Sequence, residues 1–104
     1  MNESEFDQRA TATLMDIENA IETSGADIDF ENSGGILTLE FENGSKIIIN
    51  KQAAAKQIWV ATKSGGFHYG YVNGQWLNDQ GGAELMHELS GFVRQQSGQD
   101  ISLS

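Results

Sequence analysis

Apolar residues recur along the first two dozen positions with a helical beat. Phe6, Ala10, Leu14, Ile17 and Ile21 stand at i, i+4, i+8, i+11 and i+15, which makes one narrow stripe and predicts a helix over residues 4–22. Ser4, with Asp7 three positions on, resembles a capping box, and Gly25 is the predicted stop. From residue 27 the period falls to two. Ile28 and Phe30 alternate with Asp27, Asp29 and Glu31, so a short strand places apolar side chains on one face and carboxylates on the other. Ser33-Gly34-Gly35 turns the chain, and residues 36–42 and 45–51 flank Asn43-Gly44, the dipeptide preferred in a two-residue type I′ hairpin. Residues 57–62 and 67–71 form a second hairpin through Lys63-Ser64-Gly65-Gly66, and Asn73-Gly74 leads into the short run 75–78. After Gly81-Gly82 the helical period returns in Leu85, Leu89, Phe92 and Val93, and stops before Gly98.

The order is one helix, five or six strands in meander succession, and one helix. Strands segregated from helices define an α+β class, with an antiparallel sheet in a single domain spanning residues 1–104. Two antiparallel helices are expected to cover one face of the sheet and leave the other open. Ile101 and Leu103, in the final residues, are expected to tuck against the helices. A two-residue loop at Asn43-Gly44 sets Leu39 opposite Ile48 and Phe41 opposite Lys46. Leu37, Leu39, Phe41 and Ile48 then face inward, and Ile36, Ile47 and Ile49 face out. Ile58, Val60, Phe67, Tyr69, Tyr71 and Trp76 suit the core, which turns Trp59 and His68 onto the open face. An exposed apolar group with an aromatic centre suggests a surface for docking another protein.

Composition narrows the chemistry. The 104 residues contain no cysteine, which excludes a disulfide framework, a thiolate metal site, a cysteine-ligated iron–sulfur cluster held by this chain and a cysteine nucleophile. No apolar run approaches the roughly 20 residues of a membrane span, and the polar N-terminus is no signal peptide, so a cytoplasmic protein without a membrane partner is expected. The formal net charge is −9, and it is uneven. Residues 1–42 hold eleven acids against one base, Arg9; the remaining residues hold four acids and five bases. Such a field repels nucleic acid and attracts cations or basic protein surfaces.

The carboxylates themselves are patterned. At about 100° per helical residue, Asp7, Glu18 and Glu22 share a sector of about 60° beside the apolar stripe. Asp27, Asp29 and Glu31 line one strand face a few residues downstream. The two rows are expected to be adjacent in space, and crowding of that kind calls for a hard cation with oxygen ligands or for a partner's Arg and Lys side chains. Sharper motifs fail. Residues 27–31 mimic the opening of an EF-hand, but Asn32 and Thr38 stand where glycine and glutamate are needed. His68 and His87 make no metal spacing, and no nucleophile–base–orienter set is present. The expected function is binding, not catalysis.

The chain resembles the frataxin family, in particular its bacterial CyaY type. The resemblance runs nearly end to end. It rests on residues 1–6, on the stretch from Gly34-Gly35-Ile36 through Phe41-Glu42-Asn43-Gly44-Ser45-Lys46 to Lys51-Gln52, on Gln57-Ile58-Trp59-Val60-Ala61-Thr62-Lys63, on Gly65-Gly66-Phe67-His68-Tyr69 and on Trp76. The resemblance implies a two-layer α-β sandwich, with both helices on one face of an antiparallel sheet. It implies weak, reversible binding of Fe2+ and Fe3+, for which other divalent or trivalent cations substitute, on an acidic ridge of first helix and first strand. By position that ridge comprises Glu18, Glu22, Asp27, Asp29 and Glu31, with Asp7 nearby. It also implies docking on the cysteine desulfurase and its scaffold machinery during iron–sulfur cluster assembly, through Trp59, His68, Glu18, Glu22 and Asp29, by a monomer that forms oligomers with iron. The alternative implied role is a ferroxidase or iron-storage protein. Two departures reduce the expected iron load: Thr23-Ser24-Gly25-Ala26 carries no acid, and Asn19 stands where an acid is common in the family.

Overall fold

The structure, a computed structural model, describes residues 1–99 and 103. A first helix, α1 (Glu3–Ser24), is followed by six strands: β1 (Ile28–Ser33), β2 (Ile36–Phe41), β3 (Lys46–Gln52), β4 (Gln57–Thr62), β5 (Gly65–Val72) and β6 (Gln75–Asn78). A second helix, α2 (Leu85–Ser97), completes the order. The strands form one sheet in the order β1-β2-β3-β4-β5-β6 with every neighbouring pair antiparallel. The α+β sandwich expected from the sequence is therefore the fold.

Local chemistry sets the ends of α1. Asn2, not Ser4, is the N-cap: its Oδ1 accepts the Glu5 N–H at 2.8 Å, and Ser4 lies inside the helix. At the other end Gly25 takes the left-handed conformation, φ 71°, and its N–H donates to the Glu22 carbonyl. The predicted stripe is the buried face: Phe6, Ala10, Leu14, Ile17 and Ile21 join Leu37, Leu39, Ile58, Val60 and Tyr69 of the sheet and Leu85, Leu89 and Val93 of α2 in one core cluster. Leu103 is buried, and its N–H donates to Ser90 Oγ at 2.9 Å. Ile101 lies outside the described residues.

Two further expectations are corrected. The turn at Asn43-Gly44 is not a two-residue type I′ loop. Phe41 N–H donates to the Ser45 carbonyl and Gly44 N–H to the Phe41 carbonyl, both at 2.9 Å, with Gly44 alone of the pair at positive φ. This is a longer turn closed by a left-handed glycine, and it shifts the register by one. Leu39 pairs with Ile47 and Leu37 with Ile49. A one-residue shift exchanges the faces of β3, so Ile47 and Ile49 are fully buried and Ile48 is 39% exposed. Asn43 ties this turn both to α2 and to itself. Its Nδ2 donates to the Gln96 carbonyl at the end of α2, and its Oδ1 accepts from Ser45 N–H and Oγ. Asn73-Gly74, with no such anchor, does adopt positive φ at both residues and closes Val72 onto Gln75.

The helices are parallel, not antiparallel. Asp27, just past α1, lines one hollow with Asn43 and with Ser97 and Gln99 at the end of α2, so both helices finish at the same end of the sheet. Six strands bring β6 into the direction of α1. The link after β6 then loops back to bridge Glu84 with Leu77 and reverses again into α2. Along α2, Glu88 accepts from Tyr69 Oη at 2.6 Å and from Asn78 Nδ2 at 2.8 Å. Burial first, and the Glu88 hydrogen bond second, push the Tyr69 phenol well above its ordinary pKa. Among the described residues no helix is long and apolar enough to cross a membrane.

Candidate metal and partner site

The second half of α1 lies beside the edge strand β1, where Glu18 Oε2 accepts a hydrogen bond from Asn32 Nδ2 at 3.0 Å. Strand alternation then divides the acids. Ile28 and Phe30 turn toward the core, so Asp29 and Glu31 project onto the open face, away from α1. Glu18 and Glu22 remain on the helix side. The two rows flank the same edge from opposite faces instead of merging side by side. Among the described residues no three His, Asp or Glu side chains gather into a group that could enclose a metal. Asp7 is further removed. Eleven residues of helix put it about 16 Å from Glu18, and Lys51 Nζ meets its Oδ1 at 2.8 Å and Thr11 Oγ1 at 3.0 Å.

The remaining acids lack internal neutralisation. Glu22, Asp27, Asp29 and Glu31 are exposed and, among the described residues, have neither an ion pair nor a side-chain hydrogen bond. Glu22 stands in the last turn of α1, which carries no base, although the dipole there favours a cation. Glu18 one turn earlier repeats the sign. On the open face Asp29 is directly opposite Glu40, and Glu40 leans on Lys46 at 3.6 Å. Glu40 and Glu42 share hollows with Asp27 and Asp29 and extend the acidic edge beyond the residues singled out from sequence. Counting back from the Ser33–Ile36 closure of the Gly34-Gly35 turn would have found the Asp29–Glu40 pair.

Trp59 sits on the open face of the central strand β4, half-buried. Its indole stacks on His68 across β5, with centroids 4.5 Å apart and planes at 26°, and its Nε1 donates to Gln57 Oε1 at 2.9 Å. His68 Nδ1 lies 3.7 Å from Asp79 Oδ2. Ile36 and Ile48 are the exposed isoleucines of this face; Ile47 and Ile49 are absent from it because of the register shift. The face thus combines a fixed aromatic centre, a few exposed aliphatic groups and an acidic margin along β1. It can bind and orient a protein surface or hold cations from one side.

A helix–sheet–helix sandwich with acids along its first helix and edge strand defines the frataxin class, and comparison agrees. The family model for the frataxin-like domain matches residues 1–99. The chain belongs to this family, in its bacterial CyaY type. It is 45% identical over 104 residues to the iron-sulfur cluster assembly protein CyaY of Paraburkholderia phymatum, covering 100% of this chain and 99% of that one. The protein of the same name from Paraburkholderia xenovorans is 46% identical over 101 residues, covering 97% and 96%. Among solved structures, the frataxin of Psychromonas ingrahamii superposes with a TM-score of 0.94 at 45% identity, over 100% of this chain and 99% of that one. Trimeric frataxin of the yeast Saccharomyces cerevisiae, complexed with ferrous iron, gives a TM-score of 0.71 at 32% identity over 91% and 87%.

Proposed function

We propose that this protein is an adaptor or regulator of iron–sulfur cluster assembly that binds ferrous or ferric iron weakly along its acidic edge and docks on the cysteine desulfurase. The observation that carries the reading is the set of uncompensated carboxylates on one edge, with Glu22 held against the sense of the α1 dipole. Charges that cost stability and find no cation of their own suit a cation supplied from outside. Since the edge offers single acids or pairs and no enclosing group, water completes the coordination of any bound ion, and exchange is easy. The relatives named for iron–sulfur cluster assembly support the process, and the yeast neighbour complexed with ferrous iron supports the metal. Asp7 contributes only if Lys51 lets go of it.

Docking uses the same negative edge for steering toward a basic surface and Trp59 as the desolvated anchor. Titration with ferrous iron, followed by paramagnetic broadening of backbone amide signals, tests the first half. Broadening should centre on Glu18, Glu22, Asp27, Asp29 and Glu31 and collapse when Glu18, Glu22, Asp27 and Asp29 become amides; unchanged broadening in that variant refutes the edge. For the second half, Trp59→Ala should weaken desulfurase binding by about 2 kcal/mol, roughly thirtyfold. Oxygen uptake that continues through many Fe2+ equivalents per protein chain, faster than in the same iron solution without protein, would instead make the protein a ferroxidase.

A further inference from the structure

Trp59 does not hold itself. On one side its cross-strand partner is the half-buried Asn50 of β3. Toward the β4–β5 turn the flanking positions on the open face are small: Ala61 follows on the same strand, and Gly66, paired with Ala61, has open space where a Cβ would stand. Neither can wedge an indole in place. Two contacts do so. Gln57, two residues back on the same strand face, takes the indole N–H at 2.9 Å, and His68 covers the ring as its cross-strand partner. His68 is itself tied down. The Asp79 N–H donates to the His68 carbonyl at 2.9 Å, which sets the Asp79 carboxylate 3.7 Å from Nδ1.

We propose that His68 is a positioning residue for docking: it holds the Trp59 indole flat on the sheet, and Asp79 strengthens that hold when the imidazole is protonated. The inference rests on the docking reading above and adds to it a specific role for His68 and a pH dependence. Of the elements beside His68, β4 presents Trp59 and the uncharged Gln57, and the segment after β6 presents Asp79; both helices lie on the other face of the sheet. Protonation converts the 3.7 Å approach into an ion pair and places a cation over the indole, so both contacts gain together. A ring already fixed in its bound pose spares the partner the cost of ordering it. The partner surface that fits is basic, to match Asp29 and Glu31 on the same face, with an apolar recess for the indole.

The test uses the full chain and two readouts, with intact folding checked by thermal melting. In the free protein, exchange of the Trp59 indole N–H with water should quicken about tenfold in His68→Ala, and desulfurase Kd should rise about five- to tenfold. His68→Phe keeps a ring over the indole and should bring Kd back to within about twofold of wild type at pH about 8. In the free protein, acidification should slow the indole exchange of the wild type more than that of His68→Phe, and Asp79→Asn should lose most of that difference. Unchanged indole exchange in His68→Ala, or a Kd within twofold of wild type, overturns the inference. If Trp59→Ala weakens binding and His68→Ala does not, this inference alone falls; if Trp59→Ala binds as wild type, the docking reading falls with it.

Discussion

Replacing Glu22 by lysine should make the protein more stable and a poorer iron binder at once. Glu22 lies in the final turn of α1, which has no base, and one turn beyond Glu18. A charge at a helix end is worth about 0.3–1 kcal/mol, and the substitution exchanges an unfavourable sign for a favourable one. The Glu18–Glu22 repulsion, a few tenths of a kcal/mol, becomes a Glu-to-Lys attraction in the better i, i+4 orientation. Together these predict a gain of about 1–2 kcal/mol at low salt. For a chain of this size that corresponds to a rise in Tm of roughly 5–10 °C. Glu22→Gln should give about half. The assay is thermal and urea unfolding at low and high ionic strength, because screening should shrink the gain. Broadening by ferrous iron near residue 22 should fade in the same variant. A lysine variant that melts at or below the wild-type temperature in low salt would show that the acid is not held against the dipole, and the case for an externally supplied cation would lose its energetic basis.

The corrected register makes Ile47 and Ile48 unequal: Ile47→Ala should cost about 2–4 kcal/mol and Ile48→Ala at most about 1, and the opposite order would restore the two-residue turn. Gly25→Ala should cost about 1–2 kcal/mol through its positive φ alone, since a Cβ there meets nothing within 4 Å; a neutral result would mean that α1 ends differently. Tyr69 sets the alkaline limit. Its phenol keeps its proton in the folded state after the unfolded chain has begun to lose it near pH 10. That contribution is complete below pH 10 and falls by up to about 1.4 kcal/mol per pH unit above it. Urea unfolding of Tyr69→Phe across this range should show a flatter decline than the wild type, and an identical slope would refute the buried-phenol account.

Stability and function pull apart along the acidic edge. Asp7, answered by Lys51, contributes to the fold. The Glu22 carboxylate makes no ion pair or hydrogen bond among the described residues, and its placement opposes the helix dipole. Proteins commonly retain locally unfavourable groups where a ligand or partner must be met, and the contrast between these two acids on one helix separates the structural carboxylate from the candidate binding carboxylate.

Periodicity alone was enough for α1, for α2 and for the meander, because a 3.6-residue or two-residue beat of apolar side chains has one way to be buried. It also placed Trp59 and His68 on one face, since alternation within a strand needs no long-range information. The acidity of α1 and β1 was equally plain from charge. What the chain could not announce was anything carried between elements distant in sequence. Asn43-Gly44 reads as a tight hairpin, but in the fold the turn is longer, Asn43 reaches Gln96, 53 residues on, and the register that goes with it puts Ile47 and Ile49 in the core. The direction of α2 depended on a link that reverses twice, which no local propensity encodes. The pairing of Asp7 with Lys51 spans 44 residues and removes one acid from the edge. Whether two rows of carboxylates meet or stand apart follows from the side of β1 on which each lies, a matter of how helix and sheet stack. Local patterns are short-range consequences of side-chain chemistry, whereas register, helix sense and charge neighbours are settled only when the whole core closes.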